Sequence, residues 1–391
     1  IANHRHDIAF FKLWRIFNFK YCSTIGNNIK FNQKKVKLIM KKILISTGGS
    51  GGHVIPGITL YDHCKENFKT YLTTDERGFK FIDQKNYSCY LINTPKISKN
   101  ILIFPYNLLL FLNSVLKSFF YLRSKKIDLL FSTGGYMSLP LCLSAKLLNI
   151  KIILLEPNMV LGRSNKFFLK YSSKIICYSR NIKNFPDKFK NKIFLIKSLL
   201  RKEIYIEKKN TKNYKNGFKI LVIGGSQGAS FFDTKITNLI IELFKEKKIS
   251  IIQQVSNEKK IPEIKYKYDE IGIKNDLFNF DDKIYRKYHE VDFAITRSGA
   301  STIHELVFFE IPFLAIPFPW AKDNHQFYNS KYLYNENLCW LMNQEDFQLS
   351  KAKNFLLNLI VNKDEFFLKK RNMEKFSYQN SWNDVNQKLI D

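Results

Sequence analysis

Three glycine-rich segments and three polar segments of this chain combine residue types that can hold an anionic ligand beside a proton-transfer group. The first, Gly48-Gly49-Ser50-Gly51-Gly52-His53, ends in a histidine. Glycines let backbone approach a ligand closely, and a helix N-terminus offers unpaired N–H groups to an anion. The spacing matches neither G-x-G-x-x-G nor the Gly-Lys-Ser/Thr of a P-loop. His53 is a candidate general base, because an imidazole titrates near working pH; the plainer reading is a capping or packing residue. The second segment is Thr133-Gly134-Gly135-Tyr136 and the third is Gly224-Gly225-Ser226-Gln227-Gly228-Ala229. Glu156-Pro157-Asn158 sets a carboxylate beside an amide. Arg297-Ser298-Gly299-Ala300-Ser301-Thr302-Ile303-His304-Glu305 opens a helix on hydroxyl residues, which also reads as ordinary capping. Glu305 falls one to two turns in, where a carboxylate can reach a ribose diol. Pro317 to Gln326, with Lys322, Asp323, Asn324 and His325, supplies polar groups suited to sugar hydroxyls. No D-x-D, no zinc-ligand spacing and no G-x-S-x-G nucleophile elbow occurs.

The elements that must carry these groups are short apolar runs alternating with helical patterns. Strands are expected at Ile43–Thr47, Thr70–Thr73, Tyr90–Asn93, Ile127–Thr133, Lys151–Leu155 and Lys174–Tyr178. A second series is expected at Phe218–Ile223, Ser250–Val255, Val291–Thr296 and Pro312–Ile316. The runs are continuous rather than alternating, as in parallel strands covered on both faces. Helices are expected near 56–67, 106–124, 138–148, 161–171, 229–247, 300–309, 324–335 and 350–360. Repeated βα units give an α/β chain of two Rossmann-like, doubly wound domains. In such sheets ligand sits at the carboxyl ends of the strands, here facing a cleft. The polar stretch after Phe194 serves as the linker region, so the domains are read as 40–198 and 199–374.

Length and charge bound the function. The chain has 391 residues, and 63 Lys and Arg against 34 Asp and Glu give a net charge of +29. With 45% hydrophobic and 25% charged residues the composition is globular, which excludes disordered, collagen-like and coiled-coil chains. Six scattered cysteines without a C-x-x-C pair read as reduced thiols of a cytosolic protein. The positive excess suits nucleic acid, a membrane surface or a phosphorylated substrate, and part of it reflects a Lys- and Asn-rich composition. Residues 1–39 carry eight Lys and Arg and one Asp without a clear period. They are expected to lie outside the functional fold, which starts at Met40. The sixteen uncharged residues from Ile101 to Leu116 are too few to span a bilayer. Yet Leu109, Leu112, Leu116 and Phe120 crowd a helix flanked by Lys96, Lys99, Lys117, Arg123, Lys125 and Lys126, with no acid between Pro95 and Lys126. A basic-rimmed apolar helix suits an anchor on anionic lipid.

Together, in this order and spacing, the segments resemble the MurG family, the UDP-N-acetylglucosamine transferases that convert lipid I to lipid II in peptidoglycan synthesis. The resemblance covers residues 40–391. It rests on the three glycine-rich segments, Glu156-Pro157-Asn158, Arg297 through Glu305, and Lys322 through Gln326. It implies a two-domain GT-B enzyme that inverts at the anomeric carbon without an essential metal or other cofactor. By position, Gly225, Ser226 and Gln227 would meet the nucleotide phosphates with Arg201 nearby, the Phe280 backbone would face uracil, and Glu305 the ribose. Ala300, Ser301, Thr302, His325, Gln326 and Asn158 would surround the diphosphate and GlcNAc, with Ser50, Gly51 and Gly52 across the cleft. Gly49, Gly134, Gly135 and Tyr136 would hold lipid I near its pyrophosphate. His53 matches the family's proposed base. The resemblance also implies peripheral attachment to the cytoplasmic face of the inner membrane through Leu109, Leu112, Leu116, Lys117, Phe120 and Arg123. It implies a last helix, residues 375–391, crossing back to the first domain, and contact with other cell-wall and division proteins, but not with nucleic acid. The chain departs from the family pattern where Ser50 replaces Thr, Pro157 and His325 replace Gln, and Lys197-Ser198-Leu199 replaces Gly-Asn-Pro. Competing readings are another GT-B UDP-sugar enzyme, such as a glycolipid synthase or an epimerase, and a basic nucleic-acid-binding protein.

Overall fold

The computed structural model describes residues 40–95, 103–208, 217–225 and 230–390. Within Met40–Asp391 it has two parallel sheets. The first contains β1 (Lys42–Ser46), β2 (Lys69–Thr74), β3 (Cys89–Leu91), β4 (Leu129–Ser132), β5 (Lys151–Glu156), β6 (Lys174–Cys177) and β7 (Ile193–Leu195). Their spatial order is β3-β2-β1-β4-β5-β6-β7. The second contains β8 (Phe218–Ile223), β9 (Ile249–Gln254), β10 (Asn275–Phe278), β11 (Phe293–Thr296), β12 (Phe313–Ala315) and β13 (Trp340–Leu341). These run in the order β10-β9-β8-β11-β12-β13. Successive side chains of a strand point to opposite faces. Thus Leu44 joins one core while Ile43 and Ile45 join the other. Ile220 and Val222 are likewise separated from Leu221 and Ile223. Burial on both faces is why these strands read as continuous apolar runs.

In both sheets the chain steps outward for three strands and then returns to the other side of the first. The direction switches between β1 and β4, and again between β8 and β11. A crevice opens at such a switch point. The glycine-rich segments at 48–52 and 134–135 follow β1 and β4, and those at 224–225 and 299 follow β8 and β11.

The structure adds what the patterns did not predict. Strands β7, β10 and β13 are short or polar and lie at or near sheet edges, so they lack the apolar run used to find strands. Helix α1 spans Gly51–Cys64 rather than 56–67, which makes Pro56 its sixth residue and puts His53 inside its first turn. Helix α2 is Phe104–Lys125, α3 is Ala300–Phe308, α4 is His325–Asn335 and α5 is Trp382–Ile390. The boundary expected at 374/375 falls inside a helix, Asp364–Ser377, whose Met373 belongs to the core of the second half. Helix α5 reaches back to the first half: Val385 enters its core, and Trp382 stacks on His63 at 3.6 Å between ring centroids. Residues 1–39, Lys96 and Lys99 of the basic rim, and Ser226 and Gln227 lie outside the described residues.

Candidate functional site

At the end of β1 the backbone turns through Gly48 and Gly49 under a carboxylate from the next strand. Asp75 Oδ1 accepts the N–H groups of Gly49 at 2.7 Å and Gly78 at 2.9 Å. A Cβ on Gly48 would lie 2.6 Å from that oxygen, so only glycine fits. Ser50 is the N-cap residue of α1, but its hydroxyl makes no capping bond, and Gly51 and Gly52 are the first helical residues. Their N–H groups open the positive end of the helix.

His53 follows in that first turn. Its Nδ1 donates to the Thr133 carbonyl at 2.9 Å, at the end of β4. A carbonyl only accepts, so the proton sits on Nδ1 and the lone pair is at Nε2. Gly135 (φ +80°) leaves the space beside that nitrogen: a Cβ there would be 3.7 Å from Nε2. Burial lowers the His53 pKa below 6.5, against the raising effect of the Thr133 carbonyl. His325 and the Lys322 ammonium lower it further through space, which brings the second half to the first at this point. The imidazole is therefore neutral at neutral pH, as a base must be. Tyr136 begins a single 3₁₀ turn after Gly134 and Gly135, on the same side of the sheet.

Glu156, at the end of β5, is fully buried and accepts from Gly162 N at 2.8 Å, Asn165 Nδ2 at 2.9 Å and Asn158 Nδ2 at 3.2 Å. Burial pushes its carboxyl pKa up, and these donors oppose the shift. Its task is to shape the loop that presents Asn158. From the other half, Asn329 on α4 donates to Asn158 Oδ1 at 3.1 Å and accepts from Met159 N at 2.8 Å. It also donates to Ser298 O at 3.2 Å. Arg163 and Asp323 close a second bridge between the halves at 2.7 Å.

In the second half, Ala300, Ser301 and Thr302 form the first turn of α3, and Gly299 caps it without a side chain in the way. Gln326 Oε1 accepts from Ser298 N at 3.2 Å and Phe318 N at 3.0 Å, tying that turn to the loop after β12. His325 Nδ1 donates to Lys322 O at 2.8 Å. Gly225 turns at φ +71° after β8, and Phe280, 72% exposed, follows β10. Arg201 caps the helix Lys202–Glu207 and donates to Asp282 O at 2.6 Å. Its guanidinium also pairs with Glu305 at 3.5 Å, and the Tyr288 hydroxyl donates to the same carboxylate at 3.0 Å. Arg201 thus meets the expected ribose carboxylate and the base loop.

Among the described residues, His53, Gly134, Gly135, Asn158, Gly225 and Ala300 to Thr302 follow the carboxyl ends of the strands of the two sheets. Three neighbours of the expected residues had no motif to mark them: Asp75, Gln254 and Asn329. Asp75 had one usable signal, as the first charged residue after a strand. Among the described residues no group of three or more His, Cys, Asp or Glu is arranged to hold a metal ion.

Residues 43–177 match the glycosyltransferase family 28 N-terminal domain, and residues 219–386 match the glycosyltransferase family 28 C-terminal domain. The chain is 50% identical over 350 residues to the UDP-N-acetylglucosamine–N-acetylmuramyl-(pentapeptide) pyrophosphoryl-undecaprenol N-acetylglucosamine transferase of Pelagibacter ubique, covering 90% of this chain and 98% of that one. It is 36% identical to the protein of the same name from Rickettsia canadensis, covering 83% and 92%. Among solved structures, MurG of Acinetobacter baumannii aligns with a TM-score of 0.70 at 20% identity, over 90% of this chain and 98% of that one.

Proposed function

The chain belongs to the MurG family within glycosyltransferase family 28, and from that premise we propose that His53 is the base of its reaction. The protein is a UDP-GlcNAc-dependent N-acetylglucosaminyltransferase that moves GlcNAc onto lipid I to give lipid II. The observation that carries the base assignment is the tautomer lock, in which Thr133 holds Nδ1–H and leaves Nε2 toward the space beside Gly135. The muramyl 4-hydroxyl gives its proton to Nε2 while its oxygen attacks the anomeric carbon from the face opposite UDP. One displacement on an α-linked donor yields a β(1→4) bond. The N-terminal turn of α3 and the backbone at Gly225 face the charge that develops on the departing diphosphate. Glu305, oriented by Arg201 and Tyr288, is suited to the ribose, and the loop at Phe280 to uracil. Lipid I takes the opposite wall, at the Gly49 and Gly134–Tyr136 turns.

A second reading concerns the membrane. Helix α2 buries Ser114, Ser118 and Leu122, while Leu109, Leu112, Leu116 and Phe120 stay 49–66% exposed on its outer face. No helix among the described residues is long and apolar enough to cross a membrane. The exposed stripe, with Lys117 and Arg123 beside it, supports docking of the first half on an anionic membrane that holds the lipid acceptor. The test of the reaction is transfer from labelled UDP-GlcNAc to lipid I, with diacylglycerol and water as competing acceptors. Label must appear in lipid II alone; label in diacylglycerol would overturn the acceptor assignment.

A further inference from the structure

Gln254 is the last residue of β9, at the ligand end of the second sheet. Its side-chain amide spans two segments, the turn after β8 and the loop after β10. Oε1 accepts from the Gly225 N–H at 3.0 Å, in the turn after β8. Nε2 donates to the Asn279 carbonyl at 2.9 Å, in the residue before Phe280. Both partners are backbone, one a donor and the other an acceptor, so the amide has one orientation that satisfies both. The strands themselves do not need this bridge. Val255 N donates to Phe278 O at 2.7 Å and Asn279 Nδ2 to Val255 O at 2.9 Å, which already closes β9 against β10. The far side of the same loop is held by Arg201, whose guanidinium joins Asp282 O to Glu305. The loop at 279–282 is therefore tethered at both ends. One tether leads to the phosphate turn and the other to the ribose carboxylate.

We propose that Gln254 is a positioning residue that sets the phosphate-binding turn in register with the base-binding loop, so that uridine and diphosphate are bound as one unit. The inference rests on the reading of the second half as the donor site. Gln254 does not touch the reacting atoms. Without the bridge each segment still binds its own part of the nucleotide, but the two no longer support one another.

The test is calorimetric titration of UDP and of uridine into wild type, Gln254→Met, Gln254→Glu and Glu305→Ala, with donor kinetics alongside. Gln254→Met keeps the volume and removes both hydrogen bonds. It is expected to weaken UDP about tenfold and uridine less than threefold, and to raise KM for UDP-GlcNAc about tenfold with kcat within threefold. Gln254→Glu keeps the acceptor for Gly225 but sets an oxygen against the Asn279 carbonyl, and should give the same pattern. It decides the matter if the Met variant does not fold. UDP affinity within twofold of wild type, or equal losses for UDP and uridine, would overturn the proposal. Glu305→Ala should weaken both ligands. If it leaves both unchanged, the donor-site reading itself fails, whereas a loss there with none at Gln254 refutes only the bridge.

Discussion

At the scale of single residues, the chemistry depends on one neutral nitrogen. His53→Ala should lower kcat by about 10²–10⁴-fold, the usual size of base assistance, and leave UDP-GlcNAc binding intact. Near-wild-type turnover would remove His53 from the mechanism. The pH profile gives a separate check. A base works when unprotonated, and burial, helped by the nearby Lys322 charge, holds the His53 pKa below 6.5. The acid limb of kcat/KM should therefore lie below pH 6.5. Replacing Lys322 by Ala removes a like charge, which raises the pKa and moves that limb to higher pH. A limb that does not move counts against the charge coupling. The glycine-rich turns and His53 were legible in the sequence because neighbouring residues compose them. Asp75 and Asn329 were not, because Asp75 binds a backbone 26 positions away and Asn329 one 170 positions away.

Among the elements, α2 inverts the usual helix. Its small Ser114 packs inward and donates to the Asn93 carbonyl, and Ser144 of the neighbouring helix Leu139–Leu147 donates to its Val115 carbonyl, so neighbouring backbone comes close. Leu109, Leu112, Leu116 and Phe120 are left outside. The apolar and basic content of this helix was plain in the sequence, but which face it buries was decided by packing. Removing Lys117, Arg123, Lys125 and Lys126 should weaken binding to anionic vesicles in sedimentation, at about 1 kcal/mol per charge near the surface. Replacing Leu112, Leu116 and Phe120 by Ser should weaken it as well while the melting temperature holds, since these side chains leave no core cavity. Unchanged vesicle binding in both variants would refute the docking face.

For the whole molecule, the two halves are joined by α5, by the Asn329 contacts and by the Arg163–Asp323 pair. Trp382 stacks on His63, and its indole N–H donates to Glu66 at 3.1 Å. Trp382→Ala should lower stability by roughly 2–3 kcal/mol in thermal or denaturant unfolding, less than for a fully buried Trp. A loss under about 0.5 kcal/mol would mean that α5 rests on the first half without holding it. The charge of +29 first suggested nucleic acid; family membership and the exposed face of α2 give the excess a different setting. By itself the sequence determined the two parallel sheets, the site of each glycine-rich turn and the family, because strand periodicity and turn composition are local. Only the tertiary structure decided that His53 holds its proton on Nδ1, that Arg201 turns to Glu305, and that Gln254 links two turns. Each of those facts depends on a backbone atom or charge distant in sequence, which no local pattern encodes.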